Sequence, residues 1–219
     1  MKGMRLGLVI TALVILIASP LVEPRLLAFP YEKTIGADRV YSVGPLADAS
    51  LAPILARANR LAHSSPLAVG AEGRNIYLTG GGWRWHWLAG SSQGAFALTR
   101  ALQEAVIVNR TDLGRDRVFN GAPVAGMRTL SGVIAHEKCH GMVRRHFGVL
   151  REASTPLWLR EGYCDHVAGE STLTDAQARA LEAKGQQVPA IAYLRGRERV
   201  DAALAANGGS VDALFDQVR

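Results

Sequence analysis

The sequence has no internal repeat, no low-complexity tract and no excess of charged residues. Charged residues make up 20% of the chain and hydrophobic residues 48%, so the chain can bury a core and is not expected to be disordered. The formal net charge is +6, and such a surplus can favour anionic lipids or envelope polymers. The basic residues are scattered along the sequence, however, which favours an ordinary solvated surface. Because no basic patch with interleaved aromatic residues is present, nucleic acid is not an expected partner.

The first 22 residues differ in composition from the rest. Lys2 and Arg5 precede an apolar run at residues 6–18, which extends to Val22 if Ser and Pro are tolerated within it. About 17 residues of helix reach about 25 Å, the short limit for crossing a bilayer of about 30 Å. No clean small-residue cleavage site follows, so an uncleaved signal anchor is favoured over a cleaved signal peptide. Either places the remainder outside the cytoplasm, membrane-anchored in the first case and secreted or periplasmic in the second.

The rest of the chain divides into a linker and one folded domain. Proline and glycine recur through residues 23–45, which predicts a linker with one strand at residues 39–43, and residues 46–219 are predicted to form the domain. Helices are predicted at residues 46–63, 96–104, 131–146, 156–169, 174–184, 190–205 and 210–218, and strands at 67–69, 75–79, 83–88 and 105–109. The expected fold class is α+β, with a small mixed or antiparallel sheet and a mostly helical C-terminal part.

The most informative motif is His-Glu-Lys-Cys-His at residues 136–140. Two histidines four residues apart lie on one face of a helix, so His136 and His140 can bind one ion. Glu137 would lie beside that ion without binding it, where its carboxylate can take a proton from water. The surrounding apolar spacing predicts a core helix, and a buried face with two histidines and a glutamate is costly unless a cation satisfies it.

A catalytic zinc ion takes three protein ligands and keeps one position for water, so a third ligand must lie downstream. His146 has the spacing of the last histidine in metzincins, H-E-x-x-H-x-x-G-x-x-H. The glycine of that pattern is absent, however, since Val143 occupies its position, and no methionine follows Met142 to form a methionine turn. Without a helix break His146 points away from the ion, because it lies about 240° round the helix from His140.

The other candidate is Glu161, within the sequence P-L-W-L-R-E-G-Y-C-D at residues 156–165. Pro156 suits the start of a helix and Gly169 suits its end. Glu161 and Asp165 then lie four residues apart on one face. One carboxylate can bind the metal while the other accepts the ring N–H of a ligand histidine.

Together, H-E-x-x-H and the downstream W-L-x-E-G-x-x-D resemble the gluzincin branch of the MA-type zinc metallopeptidases, a branch that includes small bacterial peptidase domains with the same W-L-x-E-G phrase. The resemblance covers residues 131–169. It implies a zincin-like fold and Zn2+ held by His136, His140 and Glu161. It also implies that Asp165 orients a ligand histidine.

The resemblance implies a hydrolase that cleaves a peptide or protein substrate. Glu137 would be the general base, taking a proton from the attacking water and returning it to the leaving amine. The oxyanion usually needs a further donor. The candidates for that donor are Tyr163, His166 and Tyr193. In such folds an edge strand binds the extended substrate, and residues 105–109 or the segment before Pro123 are expected to supply it.

Three alternatives belong to other functional classes. A basic surface-binding module would bind no metal, catalyse nothing and show a steep salt dependence of binding. The other two alternatives bind zinc. One is a membrane-tethered domain that binds zinc without catalysis, for structure or for a partner. The other is a zinc hydrolase that acts on a non-peptide amide of the cell envelope. Zinc content and the substrate cleaved would distinguish these from a peptidase.

Cysteine and tryptophan leave further alternatives open. Cys139 and Cys164 are the only cysteines, and they are either a disulfide that clamps the two ligand helices or two buried small residues. Three tryptophans alternate within the predicted strand at residues 83–88, so their indoles would share one face. That face is expected to pack in the core, to bind substrate or to lie at a membrane interface.

Overall fold

The structure is a computed structural model that describes residue 11 and residues 19–100 and 103–218. Apart from residue 11, the apolar run at residues 6–18, on which the signal-anchor prediction depends, lies outside these ranges. Among the described residues, none of the helices combines the length and the apolar composition needed to cross a bilayer.

The described residues form an α+β fold with a helical C-terminal part, as predicted. The strands are β1 (Tyr31–Ile35), β2 (Asp38–Ser42), β3 (Asn75–Leu78), β4 (Ala97–Arg100), β5 (Ala105–Val108), β6 (Arg110–Asp112), β7 (Arg117–Phe119) and β8 (Met127–Thr129). The helices are α1 (Asp48–Ala62), α2 (Gly82–Ala89), α3 (Leu130–Phe147), α4 (Val149–Ser154), α5 (Leu157–Ala168), α6 (Asp175–Ala183), α7 (Pro189–Ala206) and α8 (Val211–Asp216). Short 3-10 turns lie at Pro24–Leu27, Gly90–Ser92 and Leu113–Arg115.

The larger sheet is mixed and has the strand order β1-β2-β3-β5-β4. The pairs β2–β3 and β3–β5 are parallel, and the outer pairs β1–β2 and β4–β5 are antiparallel. β5 has the sequence Ala-Val-Ile-Val and is buried throughout, as expected for a strand covered on both faces. β4 is the last strand in this order and pairs with β5 alone, so it is an edge of the sheet. β6, β7 and β8 form a separate antiparallel sheet.

Helix α3 runs through the middle of the molecule, between two apolar clusters. The first cluster lies between α3, α1 and the sheet and includes Val133 and Ile134. The second lies between α3, α5, α7 and α8 and includes Cys139 and Met142. As a result, every residue from 130 to 144 is buried. A helix buried on all sides must satisfy its polar side chains internally.

Several polar groups of α3 have internal partners. At the N-terminus, the Thr129 hydroxyl accepts a hydrogen bond from the Gly132 N–H at 3.1 Å, a standard N-cap. Further along, the Lys138 ammonium is fully buried and donates to both oxygens of Asp38 at 2.7 and 2.8 Å. This buried ion pair joins α3 to the start of β2, so it fixes the position of the helix relative to the strand.

Several helix boundaries match the sequence signals. The helix predicted at residues 174–184 is α6, and it begins with a capping box in which Thr174 and Gln177 are bonded reciprocally. Gly169 ends α5 with a positive φ of 68°, the conformation that favours glycine after a helix. Pro156 lies just before α5 as its N-cap. The helices predicted at residues 190–205 and 210–218 correspond to α7 and α8.

The predicted linker at residues 23–45 instead supplies β1 and β2 to the larger sheet. The strand predicted within it at residues 39–43 is confirmed, since it corresponds to β2. Val40 and Tyr41 of β2 are buried in the core, because β2 pairs in parallel with β3. Glycine and proline in this segment mark the ends of the strands: Gly36, for example, has a positive φ of 60° between β1 and β2. Residues 67–69, predicted as a strand, lie in a turn and an irregular connection.

In two other segments the predicted secondary structure is wrong, with a helix in place of a strand or a strand in place of a helix. Residues 83–88 form helix α2 rather than a strand, because Trp85 and Leu88, three positions apart, fill an apolar cluster while the glycines before Trp83 take positive φ and turn the chain. Residues 97–100, predicted as helix, form β4, because they pair with β5 across a short connection. In both cases a tertiary contact outweighs the local pattern.

Helices α5 and α7 cross with their backbones in contact. A Cβ atom on Gly162 would lie 2.5 Å from the carbonyl carbon of Gly196. A Cβ on Gly196 would lie 2.7 Å from the carbonyl oxygen of Trp158. Both positions therefore require glycine for close approach rather than for a special φ.

Replacing Gly196 with alanine is expected to lower the free energy of unfolding by about 1–3 kcal/mol, because the added methyl group overpacks the crossing. Urea denaturation measures this change. Gly44→Ala is the matched control, since a Cβ there meets nothing within 4 Å and should change stability little. Equal stability of the two variants would contradict the close crossing.

Candidate metal centre

Helices α3 and α5 bring three predicted ligand side chains to one point. The Nε2 atoms of His136 and His140 are 3.2 Å apart. Glu161 Oε2 lies 3.3 Å from Nε2 of His136 and 3.6 Å from Nε2 of His140. Ligand atoms about 2.1 Å from a tetrahedral zinc ion lie roughly 3.4 Å from one another. The spacing of the three atoms therefore fits that ion.

Each histidine is oriented by a carboxylate at its other ring nitrogen. His136 Nδ1 lies 2.8 Å from Asp165 Oδ1, and His140 Nδ1 lies 3.2 Å from Glu152 Oε1. In a neutral imidazole whose Nδ1–H donates to a carboxylate, Nε2 keeps its lone pair. Two such lone pairs facing each other repel unless a cation lies between them. The donor set thus fits a divalent metal ion.

Asp165 is itself fixed by two further donors. Arg128 Nη1 lies 2.9 Å from Asp165 Oδ1, and the Ser171 hydroxyl donates to Oδ2 at 2.8 Å. Burial alone would raise the pKa of Asp165, but the Arg128 guanidinium and the bond with His136 outweigh it and hold that pKa below its usual range. Asp165 therefore stays ionised beside His136.

The cluster strongly favours positive charge. Burial opposes protonation of His140, but the charge of Glu161 and the bond with Glu152 outweigh it and raise the pKa of His140 to about 10. The pKa of His136 is also raised, since its bonds with Asp165 and Glu161 outweigh burial. In turn, the positive imidazoles hold the pKa of Glu161 far below its usual range despite its burial. The buried carboxylates create a negative potential that a cation can neutralise.

Glu137 follows His136 directly on α3, and its side chain is hydrogen-bonded to the edge of the sheet. Its Oε2 accepts from the Thr99 hydroxyl of β4 at 2.7 Å. The same hydroxyl lies 2.9 Å from the Glu137 carbonyl oxygen. Thr99 therefore holds the carboxylate of Glu137 in place between β4 and α3.

A cleft of about 890 Å³ opens over these side chains. His136, Glu137 and Glu161 line it, and Tyr193 of α7 lies on its wall. The remaining wall comes from the segments around residues 92–97, 120–125 and 186–190, which include the apolar side chains of Phe96, Val124 and Val188. The candidate metal centre is thus reached through a cleft with a mainly apolar wall.

Of the three predicted oxyanion donors, Tyr193 lines this cleft and the other two do not. The Tyr163 hydroxyl shares a hydrogen bond with the Ser65 hydroxyl at 2.7 Å, and His166 Nδ1 bonds with Asp201. Both line a separate cavity of about 420 Å³. The reason is helical geometry, because Tyr163 lies about 200° round α5 from Glu161.

The edge of the sheet is also not at the segment that was predicted to bind substrate. Residues 105–108 form β5, which is hydrogen-bonded to β3 on one side and to β4 on the other, so its backbone cannot bind a peptide. The edge is β4. The segment before Pro123 is a loop that lines the cleft.

His146 lies away from the candidate centre, as predicted for an unbroken helix. Its side chain is exposed and its Nε2 lies 2.7 Å from Asp212 Oδ1 on α8. Helix α3 continues to Phe147 and ends at Gly148. The metzincin arrangement is therefore excluded for this chain.

Cys139 and Cys164 form a disulfide between the two ligand helices, with their Cα atoms 5.3 Å apart. Each cysteine lies three residues after a candidate ligand, Cys139 after His136 and Cys164 after Glu161. Both are fully buried. Of the two alternatives open from sequence, the disulfide is confirmed, and it joins α3 to α5 close to the ligands.

Three residues at the site carry no signal in the sequence. Glu152 lies on α4, Arg128 on β8 and Thr99 on β4, and none belongs to either motif. Each reaches the site only because a separate element packs against α3 or α5. The donor or acceptor it supplies could be found only from the tertiary structure.

No protein-family model, curated protein or solved structure matches the chain. The fold and the geometry of the cluster therefore carry the functional argument, together with the resemblance of the two motifs.

Replacing Glu152 with alanine is expected to weaken zinc binding by about 10–100-fold, because loss of a carboxylate that orients a ligand histidine typically has this effect. Competition with a chromogenic chelator measures the dissociation constant. Glu182→Ala removes an exposed carboxylate on α6 that pairs with Arg195, and it should leave zinc affinity unchanged. Unaltered affinity in the Glu152 variant would show that His140 needs no such partner.

Proposed function

We propose that this protein is a zinc-dependent peptidase with a zincin-like fold of gluzincin type. The observation that supports it best is the convergence of His136, His140 and Glu161 beside a cleft that is lined by His136, Glu161 and Glu137. This is the donor set of a hydrolytic zinc site, in which two histidines and a glutamate leave one position for water.

His136, His140 and Glu161 would hold the zinc ion. When bound, zinc supplies Lewis-acid chemistry, since it polarises the scissile carbonyl and makes the attacking water more acidic. Glu137 accepts the proton of that water and then delivers it to the leaving amine. Thr99 keeps the Glu137 carboxylate oriented between these two transfers.

Tyr193 supports the same chemistry as a donor to the developing oxyanion. Burial and the charges of Glu161 and Asp165 raise the pKa of its hydroxyl, so the group stays protonated at neutral pH. A protonated hydroxyl in the cleft can donate a hydrogen bond to negative charge that forms there.

The substrate we propose is an extended peptide that adds to the edge strand. β4 pairs with β5 on one side only, and its backbone on the other side can bond to an incoming strand. Because Thr99 of β4 touches Glu137, a peptide on this edge passes directly over the general base.

We also propose that residues 1–22 are a signal anchor and that the domain lies outside the cytoplasm. The Cys139–Cys164 disulfide supports this location, since disulfides persist in oxidising compartments and are rare in the cytosol. The alternative from the same segment is a secreted or periplasmic protein after signal cleavage.

Metal analysis and a peptide-library assay test the proposal together. We expect one zinc ion per chain, hydrolysis of peptides, loss of hydrolysis with a chelator and recovery when zinc is restored. Equimolar zinc without hydrolysis of any amide would instead favour a non-catalytic zinc-binding domain. Cleavage of cell-wall fragments but not of peptides would favour the envelope hydrolase.

A further inference from the structure

Helix α2 presents two large indoles to the outside. Trp83 and Trp87 are four residues apart, so they lie on one face of the helix, and they are 57% and 42% exposed. Trp85 points inward, where it is 2% exposed and its Nε1 donates to the Gln93 carbonyl at 2.9 Å. The outward face therefore consists of side chains that the core of this domain does not use.

The chain that leads from the N-terminal apolar run is fixed next to α2. Arg84 donates to the carbonyls of Leu27 and Ala28 at 2.8 and 3.1 Å. The ring of Phe29 lies edge-on to Tyr77 of β3, with the centroids 5.2 Å apart. These contacts hold the segment before β1 against the same side of the domain as α2.

Further apolar side chains are exposed along that segment. Leu21, Val22 and Leu26 are 40%, 56% and 60% exposed. They follow directly on the apolar run at residues 6–18. The apolar character of the N-terminal run thus continues onto the surface of the domain and reaches the vicinity of α2.

We propose that the outward face of α2, carrying Trp83 and Trp87, contacts the headgroup region of a phospholipid bilayer that holds residues 6–18. Tryptophan favours this region because its ring is apolar and its N–H can bond to water or headgroups. The Arg84 guanidinium stacks over the Trp83 ring, 4.5 Å from the centroid, which places a positive charge where lipid phosphates lie. The apolar run at residues 6–18, which precedes this segment in the sequence, favours lipid over a protein partner.

Lipid contact at α2 would also fix the position of the cleft relative to the membrane. Gln93 binds both Trp85 Nε1 and His86 Nδ1 of α2, and the residues on either side of it, Ser92 and Gly94, line the cleft. One wall of the cleft is therefore attached to the lipid-facing helix. The resulting preference for substrates close to the membrane rests on the proposed peptidase function, whereas lipid contact itself does not.

Fluorescence quenching in vesicles tests the contact independently of activity. The full chain is reconstituted into phosphatidylcholine and phosphatidylglycerol vesicles, with or without brominated acyl chains, and iodide serves as the aqueous quencher. Brominated lipid should lower the emission about twofold, since two of the four tryptophans would lie at the interface. A Trp83→Phe/Trp87→Phe variant should lose this quenching, and the Trp158→Phe control should keep it.

Two outcomes would overturn the proposal. If iodide quenches both indoles and brominated lipid does not, the face of α2 lies in water. If neither quencher reaches them, a second copy or another protein covers the face. Circular dichroism of the variants establishes that each is folded, which both substitutions allow because the two side chains are exposed.

Discussion

Replacing Glu137 with glutamine is expected to lower kcat/KM by about 10²–10⁴-fold while zinc content stays unchanged. Glutamine keeps the size of the side chain and can still accept the hydrogen bond from Thr99, but it cannot take a proton from water. The zinc ligands are on other side chains, so the ion should remain. Steady-state hydrolysis of a peptide substrate together with metal analysis of the same sample measures both effects.

The control for this change is Glu182→Gln, which makes the same chemical replacement at an exposed position of α6 and should retain full activity. Undiminished turnover in the Glu137 variant would mean that another group is the base. Loss of zinc together with activity would show instead that Glu137 helps to hold the ion.

Replacing Glu161 with alanine is expected to weaken zinc binding by more than about 100-fold, since even the carboxylates that only orient ligands contribute 10–100-fold. The variant loses the one ligand that comes from α5 and leaves only the two histidines of α3. Hydrolysis should fall in parallel with bound zinc. A zinc titration and an activity assay at matched zinc concentrations measure the two quantities.

His166→Ala is the matched control on the same helix. Its ring bonds with Asp201 at the surface and lies outside the cleft, so zinc affinity should be unchanged. If the Glu161 variant binds zinc as tightly as the wild type, the third ligand must be another residue and the proposed donor set is wrong.

The parts of the site that the sequence predicted depend on helical spacing. His136 and His140 are one turn apart on α3, and Glu161 and Asp165 are one turn apart on α5. A helix fixes such pairs relative to each other without any tertiary contact. The structure then shows that the two helices meet at these faces, which the spacing alone did not establish.

The other side chains at the site could not be predicted because they depend on how separate elements pack. Glu152 reaches His140 only after the chain turns at Gly148. Arg128 reaches Asp165 from β8, a strand of the smaller sheet. Likewise Thr99 reaches Glu137 only if its segment is an edge strand, and that segment was predicted as a helix. Local pattern therefore predicted the candidate ligands and Asp165, but not Glu152, Arg128 or Thr99.

The tryptophan-rich segment shows how two periodicities can compete. Aromatic residues at every second position favour a strand, but Trp85 and Leu88 also have the three-residue spacing of a helix. The neighbouring apolar cluster accommodates the second pattern. The choice between them is made by packing, since the composition of the segment fits both.

The contact between Gly162 and Gly196 links the width of the cleft to the position of a ligand. Tyr193 lies one turn before Gly196 on α7, and Glu161 directly precedes Gly162 on α5. Because the two backbones already touch, α7 cannot move closer to α5, so the cleft cannot narrow at Tyr193 without displacing the residue next to Glu161. If the cleft binds a peptide as proposed, engineering of a narrower specificity should begin in the loops at residues 120–125 and 186–190.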